Sequence, residues 1–427
     1  MLPLRCFFAL VPGLAATTSL LAADYKIVVA PADFDRAAEV VTVALPADAP
    51  KPAVLRDAGN QTLSLQVDEK GNGTFFIAAQ KAGQSLTYSL VAAPPKISGN
   101  VVADNSTAIG TNTTSTSPVT ANVSAGVEVT KEPGRLRLAV NSQPVFYYQM
   151  DLEKPPRDGV DPKFLRGAFL HPVYSPAGKL VTDDYPTDHF HHHGIWVVWT
   201  DTLFEGRNPD FWNMGQANGG TVEFVALDKS WSGPVAGGFE ARHRFVDRMV
   251  QPAVTVLDER WQVTLYAAED VNARVFDLAF THTAATSDPL TLVTYRYGGL
   301  GVRGAAEWLD KANCVVLNSE GLTDRVKSEY QRAKWYFMGG KVGGALAGIA
   351  ILDHPDNFRA PQPVWMNADQ PFFCYAPEQL GDFQITKDKP YAAHYRFVVV
   401  DGPPDAKFLE ACWQGYAHPG VATVTPQ

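Results

Sequence analysis

Residues 188–201 read DHFHHHGIWVVWTD and hold four of the chain's ten histidines within five positions. An imidazole titrates near neutral pH and also ligates zinc or copper. The stretch can therefore move protons or hold a metal. If the chain is extended there, His189, His191 and His193 share one face, with Phe190 and His192 on the other. Asp188 adds a carboxylate. The spacing matches no HExxH or paired CxxC pattern. Acid–base work by His189 and His192 is thus the leading reading, with no cofactor required. Zinc or copper at His189, His191 and His193 is the alternative, and uncharged hydrogen bonding to ligand hydroxyls is a third.

Other segments carry chemistry of the same kind. Upstream, His171 opens HPVYSPAG in a loop dense with proline, the kind of place where ligand contacts gather. Downstream, DTLFEGRNPDFWNMG offers Phe211 and Trp212 as aromatic faces for a sugar ring. Glu205, Arg207, Asp210 and Asn213 there can meet hydroxyls. In TYRYGGLGVRG no phosphate loop is present, because no Lys-Ser/Thr follows. Its glycines let a strand bend or a ligand approach, and Arg303 is a donor to ligand oxygens. In ILDHPDNFRAP an apolar strand ends at Asp353 and His354, and the carboxylate can fix the imidazole's tautomer for proton transfer.

The elements that must position these groups are mostly strands. Alternating runs such as RWQVTLYA and RVFDLAFTHTA argue for antiparallel sheets with one buried face. Helical periodicity is scarce, and the best case is PDAKFLEACWQGYA, opened by Pro404 and Asp405. The expected class is all-β. Residues 24–95 form a small immunoglobulin-like β-sandwich, and 96–125 a Ser/Thr/Asn-rich linker with too little apolar surface to order itself. Residues 126–427 form one large domain of two stacked sheets.

Composition narrows the partners. The net charge of -9 argues against a protein built for nucleic acid or an anionic membrane, and leaves a neutral ligand such as a carbohydrate open. Residues 1–23 place Arg5 before an apolar run and end in Ala22 and Ala23, which reads as a secretory signal peptide. The expected location is periplasmic or extracellular, with no later segment suited to span a bilayer. Cys314, Cys374 and Cys412 form no CxxC and are expected to be buried thiols.

Taken in order, HPVYSPAG, DHFHHHG, DFW, GGLGVRG and DHPDNFR resemble the motifs of a bacterial family of unknown function labelled "methane oxygenase PmoA-like". The likeness runs from about residue 165 to 402. The label itself sits badly with a strand-rich chain, since the membrane methane-oxygenase subunit spans the bilayer with several helices. The resemblance implies a galactose mutarotase-like β-supersandwich, an architecture that handles carbohydrates. It implies that His189, His191 and His192 fall on the family's histidine positions, and Arg303, Asp353, His354, Asn357 and Arg359 on its other motifs. His193 stands where relatives often carry Arg. In mutarotase-like enzymes histidines and an acidic residue move protons on a sugar ring. The implied site is therefore His189, His192, Asp353 and His354 as proton carriers. His171, His191, Trp212, Arg303, Asn357 and Arg359 then hold the substrate. A non-catalytic sugar-binding protein and a His-ligated metal hydrolase or oxidase are the other two readings.

Overall fold

The computed structural model describes residues 25–93, 126–154, 156–214, 219–268 and 270–427. The expected signal peptide and the whole of the expected linker lie outside those residues. The described chain is mostly β, as its alternating pattern predicts. Two eight-stranded antiparallel sheets dominate it.

The first, the site sheet, runs Val364–Met366, Phe372–Tyr375, Gly299–Arg303, Ile195–Val198, Phe169–Val173, Gln143–Gln149, Arg135–Val140, Val127–Glu132. The second, the backing sheet, runs Gly220–Trp231, Ala236–Asp247, Val254–Tyr266, Ala273–Ala284, Tyr391–Asp401, Ala345–Asp353, Trp335–Val342, Val315–Asn318. Their facing sides interdigitate large rings. Tyr148 stacks on Phe239 at 4.3 Å and Phe146 meets Phe276 at 4.7 Å. This is the stacked-sheet core that one-face alternation demands.

A polar network crosses that core. Glu259 is buried on the backing sheet between two imidazoles, with His243 Nδ1 and His282 Nε2 each 2.7 Å from its carboxylate. His243 Nε2 meets the Tyr148 hydroxyl at 2.5 Å, and the Trp199 indole N–H donates to His282 Nδ1 at 3.0 Å. Tyr148 lies on the site sheet and Trp199 just beyond one of its strands, so the network joins the two layers. Because Trp199 fills Nδ1, His282 donates from Nε2, and every partner is satisfied. Burial pushes the Glu259 carboxyl up, but the hydrogen bonds from His243 and His282 outweigh it and hold it down at about 2.

The backing sheet's other face is covered by the helix Ala406–Ala417, whose Leu409, Cys412 and Tyr416 pack on Trp335, Leu352 and Val398. Asp405 caps it by accepting from the amides of Lys407 and Phe408. The helix also packs against the strand Arg36–Ala44, and Arg396 donates to the Ala38 carbonyl. That strand belongs to the small N-terminal pair of sheets. The strand Ala422–Pro426 pairs with Tyr25–Val29 there, so these residues, expected in the large domain, join the small unit's sheet instead. Cys314, Cys374 and Cys412 carry free thiols.

Candidate functional site

Side chains alternate across a strand, so pairing fixes which residues share a face. Trp196 lies opposite both Phe169 and Gly301, and Arg303 lies opposite Phe372. The alternate positions face the backing sheet: Tyr148, stacked on Phe239, pairs with Leu170, Leu170 with Ile195 and Ile195 with Val302, while Leu300 pairs with Tyr375, whose hydroxyl donates to the Ile351 carbonyl. Phe169, Trp196, Gly301, Arg303 and Phe372 therefore point away from the backing sheet. Loops roof this outer face. A Cβ on Gly301 would lie 3.1–3.3 Å from Trp212, Trp196 and Phe372, so glycine lets the roof sit close.

The imidazole-rich segment enters this roof as a turn, not as a strand. The His189 amide donates to the Pro186 carbonyl and the His192 amide to the His189 carbonyl, and Tyr185 N–H to His192 O closes the loop. The face expected from strand alternation is thus rearranged. His189, His191 and His192 cluster, with ring centroids 4.7–5.4 Å apart. His193 turns the other way, stacks on Phe169 and bonds Asp184 Oδ1 through Nδ1 at 2.9 Å. The expected ligand set of His189, His191 and His193 is not assembled, because a turn does not keep the two-residue period. Gly194 follows, where a Cβ would strike the Leu170 carbonyl.

Arg303 anchors the turn. It is 1% exposed, donates through Nη2 to both Asp188 oxygens at 3.0 and 3.1 Å, and points Nη1 at His192 Nδ1, 3.3 Å away. Its backbone binds both ends of the loop, N–H to Gly194 O and O from Asp183 N–H. Asp188 also lies 3.1 Å from His189 Nδ1. A carboxylate accepts, so Nδ1 carries the proton and His189 Nε2 keeps a lone pair. An arginine donates, so His192 Nδ1 is the acceptor and its Nε2 carries the proton.

The electrostatics follow from burial and these partners. Partial burial raises the Asp188 carboxyl, but the charge and hydrogen bonds of Arg303 and His189 hold it below the usual carboxylate range. Burial, reinforced by its neighbouring imidazoles and Arg303, pushes His192 well down, and the same causes lower His191 to about 4. Both imidazoles are therefore neutral at neutral pH. The set offers one oriented base at His189, one uncharged N–H donor at His192 and one buried guanidinium.

Aromatic rings continue from this cluster. Trp212, expected as a sugar-facing ring, is 1% exposed and packs on Trp196, Phe372 and Tyr297 as part of the roof. Asp210 holds it there by accepting from the Trp212 and Asn213 amides. Half-buried Tyr297 and Trp365 stack at 4.8 Å beyond it, with the exposed Arg296 guanidinium against both. Sequence reasoning passed over these two rings. The TYRY run before the glycines announces Tyr297, whereas nothing local marks Trp365.

The remaining expected residues stand elsewhere. His171 lies 3.0 Å from Thr182 Oγ1 and lines a neighbouring cavity of about 460 Å³ with Arg135, Gln149, Arg157 and Asp184. Burial lowers its imidazole to about 3. Asp353 is buried at the end of a backing-sheet strand, where it accepts from Asn357 Nδ2 and the Gln362 amide, and its carbonyl from Trp413. Burial pushes its carboxyl up to about 7 against those bonds. His354 stacks on His394 at 4.0 Å and meets Tyr416 of the covering helix edge-on. Arg359 is spent on the carbonyls of Pro377 and Gly381.

The corner at Asp353 and His354 was expected to join the imidazole turn in one pocket. His354 instead faces the helix side of the backing sheet, and the Asp353 carboxylate is taken up by Asn357 and Gln362, whereas Arg303 faces outward from the other sheet. Among the described residues no hydrogen bond, ion pair or ring contact links the two. A metal is better served by this corner, where His354, Asp356 and His394 bring ligand atoms within 4.8 Å of one another.

The model of DUF6807, a family of unknown function, matches residues 135–414, more than half of the chain. The chain belongs to that family. The DUF6807 match spans every motif of the site and none of the residues 25–93 of the small unit. Its description carries no methane-oxygenase label and no activity. No curated protein matches the sequence. Among solved structures, an α-mannosidase from Enterococcus faecalis V583 is similar at 10% identity and a TM-score of 0.40, covering 94% of this chain and 46% of that one. A glycosyl hydrolase family 38 protein from Enterococcus faecalis is similar at 10% and 0.38, covering 95% and 48%. A galactose mutarotase-like protein from Clostridium acetobutylicum is similar at 8% and 0.35, covering 66% and 100%. The chain thus spans about half the length of the first two. Among the described residues no helix is long and apolar enough to cross a membrane.

Proposed function

We propose that this DUF6807 protein is an exported carbohydrate-active enzyme that moves a proton on a sugar or oligosaccharide. His189 is the base, oriented by Asp188, and His192 with Arg303 offers donors to the oxygen where negative charge develops. The observation that carries the reading is the Arg303–Asp188–His189 chain, which among the described residues leaves His189 Nε2 without a hydrogen-bond partner, its ring stacked on His192, which in turn stacks on Phe372. Aromatic faces suit the C–H side of a sugar ring, and pockets lined by such rings with a few placed polar groups are typical ligand sites.

The donor set favours proton abstraction beside a carbonyl, as in epimerisation or elimination, over glycoside hydrolysis. Hydrolysis ordinarily needs two carboxyl groups flanking the bond, one of them kept protonated. Here Asp188 is ionised and bonded to Arg303, and the groups beside it are imidazoles. The test is incubation with plant and algal oligosaccharides and their 3-keto derivatives, followed by NMR. Loss of a ring proton to solvent deuterium, with or without elimination, is expected. Saturation-transfer contacts without conversion would instead support a binding protein that uses the same aromatic rings.

A further inference from the structure

We propose that His354, Asp356 and His394 form a binding site for a divalent metal of the zinc class. This site lies apart from the imidazole turn and does not rest on the carbohydrate reading.

Register builds it. The strands Ala345–Asp353 and Tyr391–Asp401 pair antiparallel up to Asp353 opposite Tyr395. One step further His354 comes opposite His394, and directly opposed side chains share a face. The two rings lie 4.0 Å apart, tilted by 26°. The chain then reverses, with the Asn357 amide bonding the His354 carbonyl, and this turn carries Asp356 back to His354. Asp356 Oδ2 is 3.7 Å from His354 Nδ1.

Asn357 locks the turn against the second histidine. Its Nδ2 donates to the His394 carbonyl at 2.8 Å and to Asp353 at 2.7 Å, and its Oδ1 accepts from the His394 amide at 2.8 Å. One side chain thus takes the place of a ladder partner for His394. The ligand positions are fixed by backbone-level bonds, the support a metal site needs. Asn357 is a positioning residue here.

The donors define the ion. Two imidazole nitrogens and one carboxylate oxygen suit zinc and its neighbours, whereas magnesium and calcium want oxygen throughout. Tetrahedral bonds of about 2.0–2.2 Å set ligand atoms about 3.3–3.5 Å apart. The present atoms lie within 4.8 Å, and the Asp356 side chain, 81% exposed, is free to close the difference. His354 Nδ1 now accepts from the Asp356 amide at 3.2 Å, so its lone pair points into the corner, and a metal would replace that contact. Three protein ligands leave the fourth position to solvent. Beside the pair, the buried Tyr416 hydroxyl has no hydrogen-bond partner among the described residues.

Titrating metal-free protein with zinc chloride by calorimetry tests this. One zinc per chain is expected, with no binding heat from magnesium chloride. Asp356→Ala, at an exposed position, and His394→Ala, checked for folding by circular dichroism, should each weaken binding at least about tenfold. His191→Ala should bind as the parent does. The proposal is overturned if the parent takes up no stoichiometric zinc or binds magnesium equally well. It is also overturned if the first two variants match the parent, or if His191→Ala is the one that loses binding.

Discussion

Arg303 and Asp188 are 115 positions apart in sequence, yet one guanidinium nitrogen of Arg303 donates to both oxygens of the Asp188 carboxylate. The same guanidinium reaches His192, and Asp188 reaches His189. A buried arginine on a strand of the site sheet thereby sets the tautomers of two imidazoles on a loop.

Replacing that arginine should release the carboxylate. Arg303→Met keeps the apolar stem and removes the charge, and should cost about 1–3 kcal/mol for the lost charge-assisted bonds. Asp188 reaches solvent, so it is not stranded as a buried ion. Its carboxyl pKa, followed by carbon NMR, should rise toward the ordinary value. An unmoved titration would show that Arg303 does not hold Asp188.

The Glu259 network makes a pH-dependent contribution to stability. An unfolded glutamate titrates at about 4.3. The folded value of about 2 lies below it. The stabilisation is therefore complete above pH 4.3 and is lost as pH falls toward 2. Glu259→Gln, which cannot accept from both His243 and His282 with its amide in one orientation, should cost about 1–3 kcal/mol at neutral pH. Urea unfolding should show the gap between parent and variant narrowing below pH 4.3. A gap constant down to pH 2 would contradict this assignment.

Gly301→Ala tests the roof. The new methyl meets three aromatic rings at 3.1–3.3 Å, closer than ordinary contact. Overpacking of this kind costs about 1–3 kcal/mol. The emission of Trp196 and Trp212 should change with it. A variant as stable as the parent, with unchanged emission, would mean that the rings do not pack on this strand as described.

The all-β class and the helix capped by Asp405 were legible because two-residue and 3.6-residue periods are local properties of sequence. Arg303 and the imidazole segment were also legible as chemistry, since their residue types announce it. The orientation of the imidazoles was not. Residues 188–193 look extended by composition, but turn bonds from Pro186 and His189 decide the local geometry, and those depend on where Tyr185 and Arg303 are held. Likewise His243 and His282 show no chemical neighbourhood along the chain. Strand register alone brings them to Glu259. The separation of His354 from His192 is a matter of which sheet each strand joins, and pairings as distant as Asp353 with Tyr395 or Ile195 with Val302 leave no local mark.

The central claim is that His189, oriented by Asp188, carries the proton. The most direct measurement is a proton NMR time course of parent and His189→Ala protein on the same sugar panel in deuterium oxide. The account predicts exchange or elimination on at least one sugar by the parent, slowed about 10²- to 10⁴-fold in the variant. Equal rates for the two proteins, or no turnover of any sugar by the parent, would contradict it.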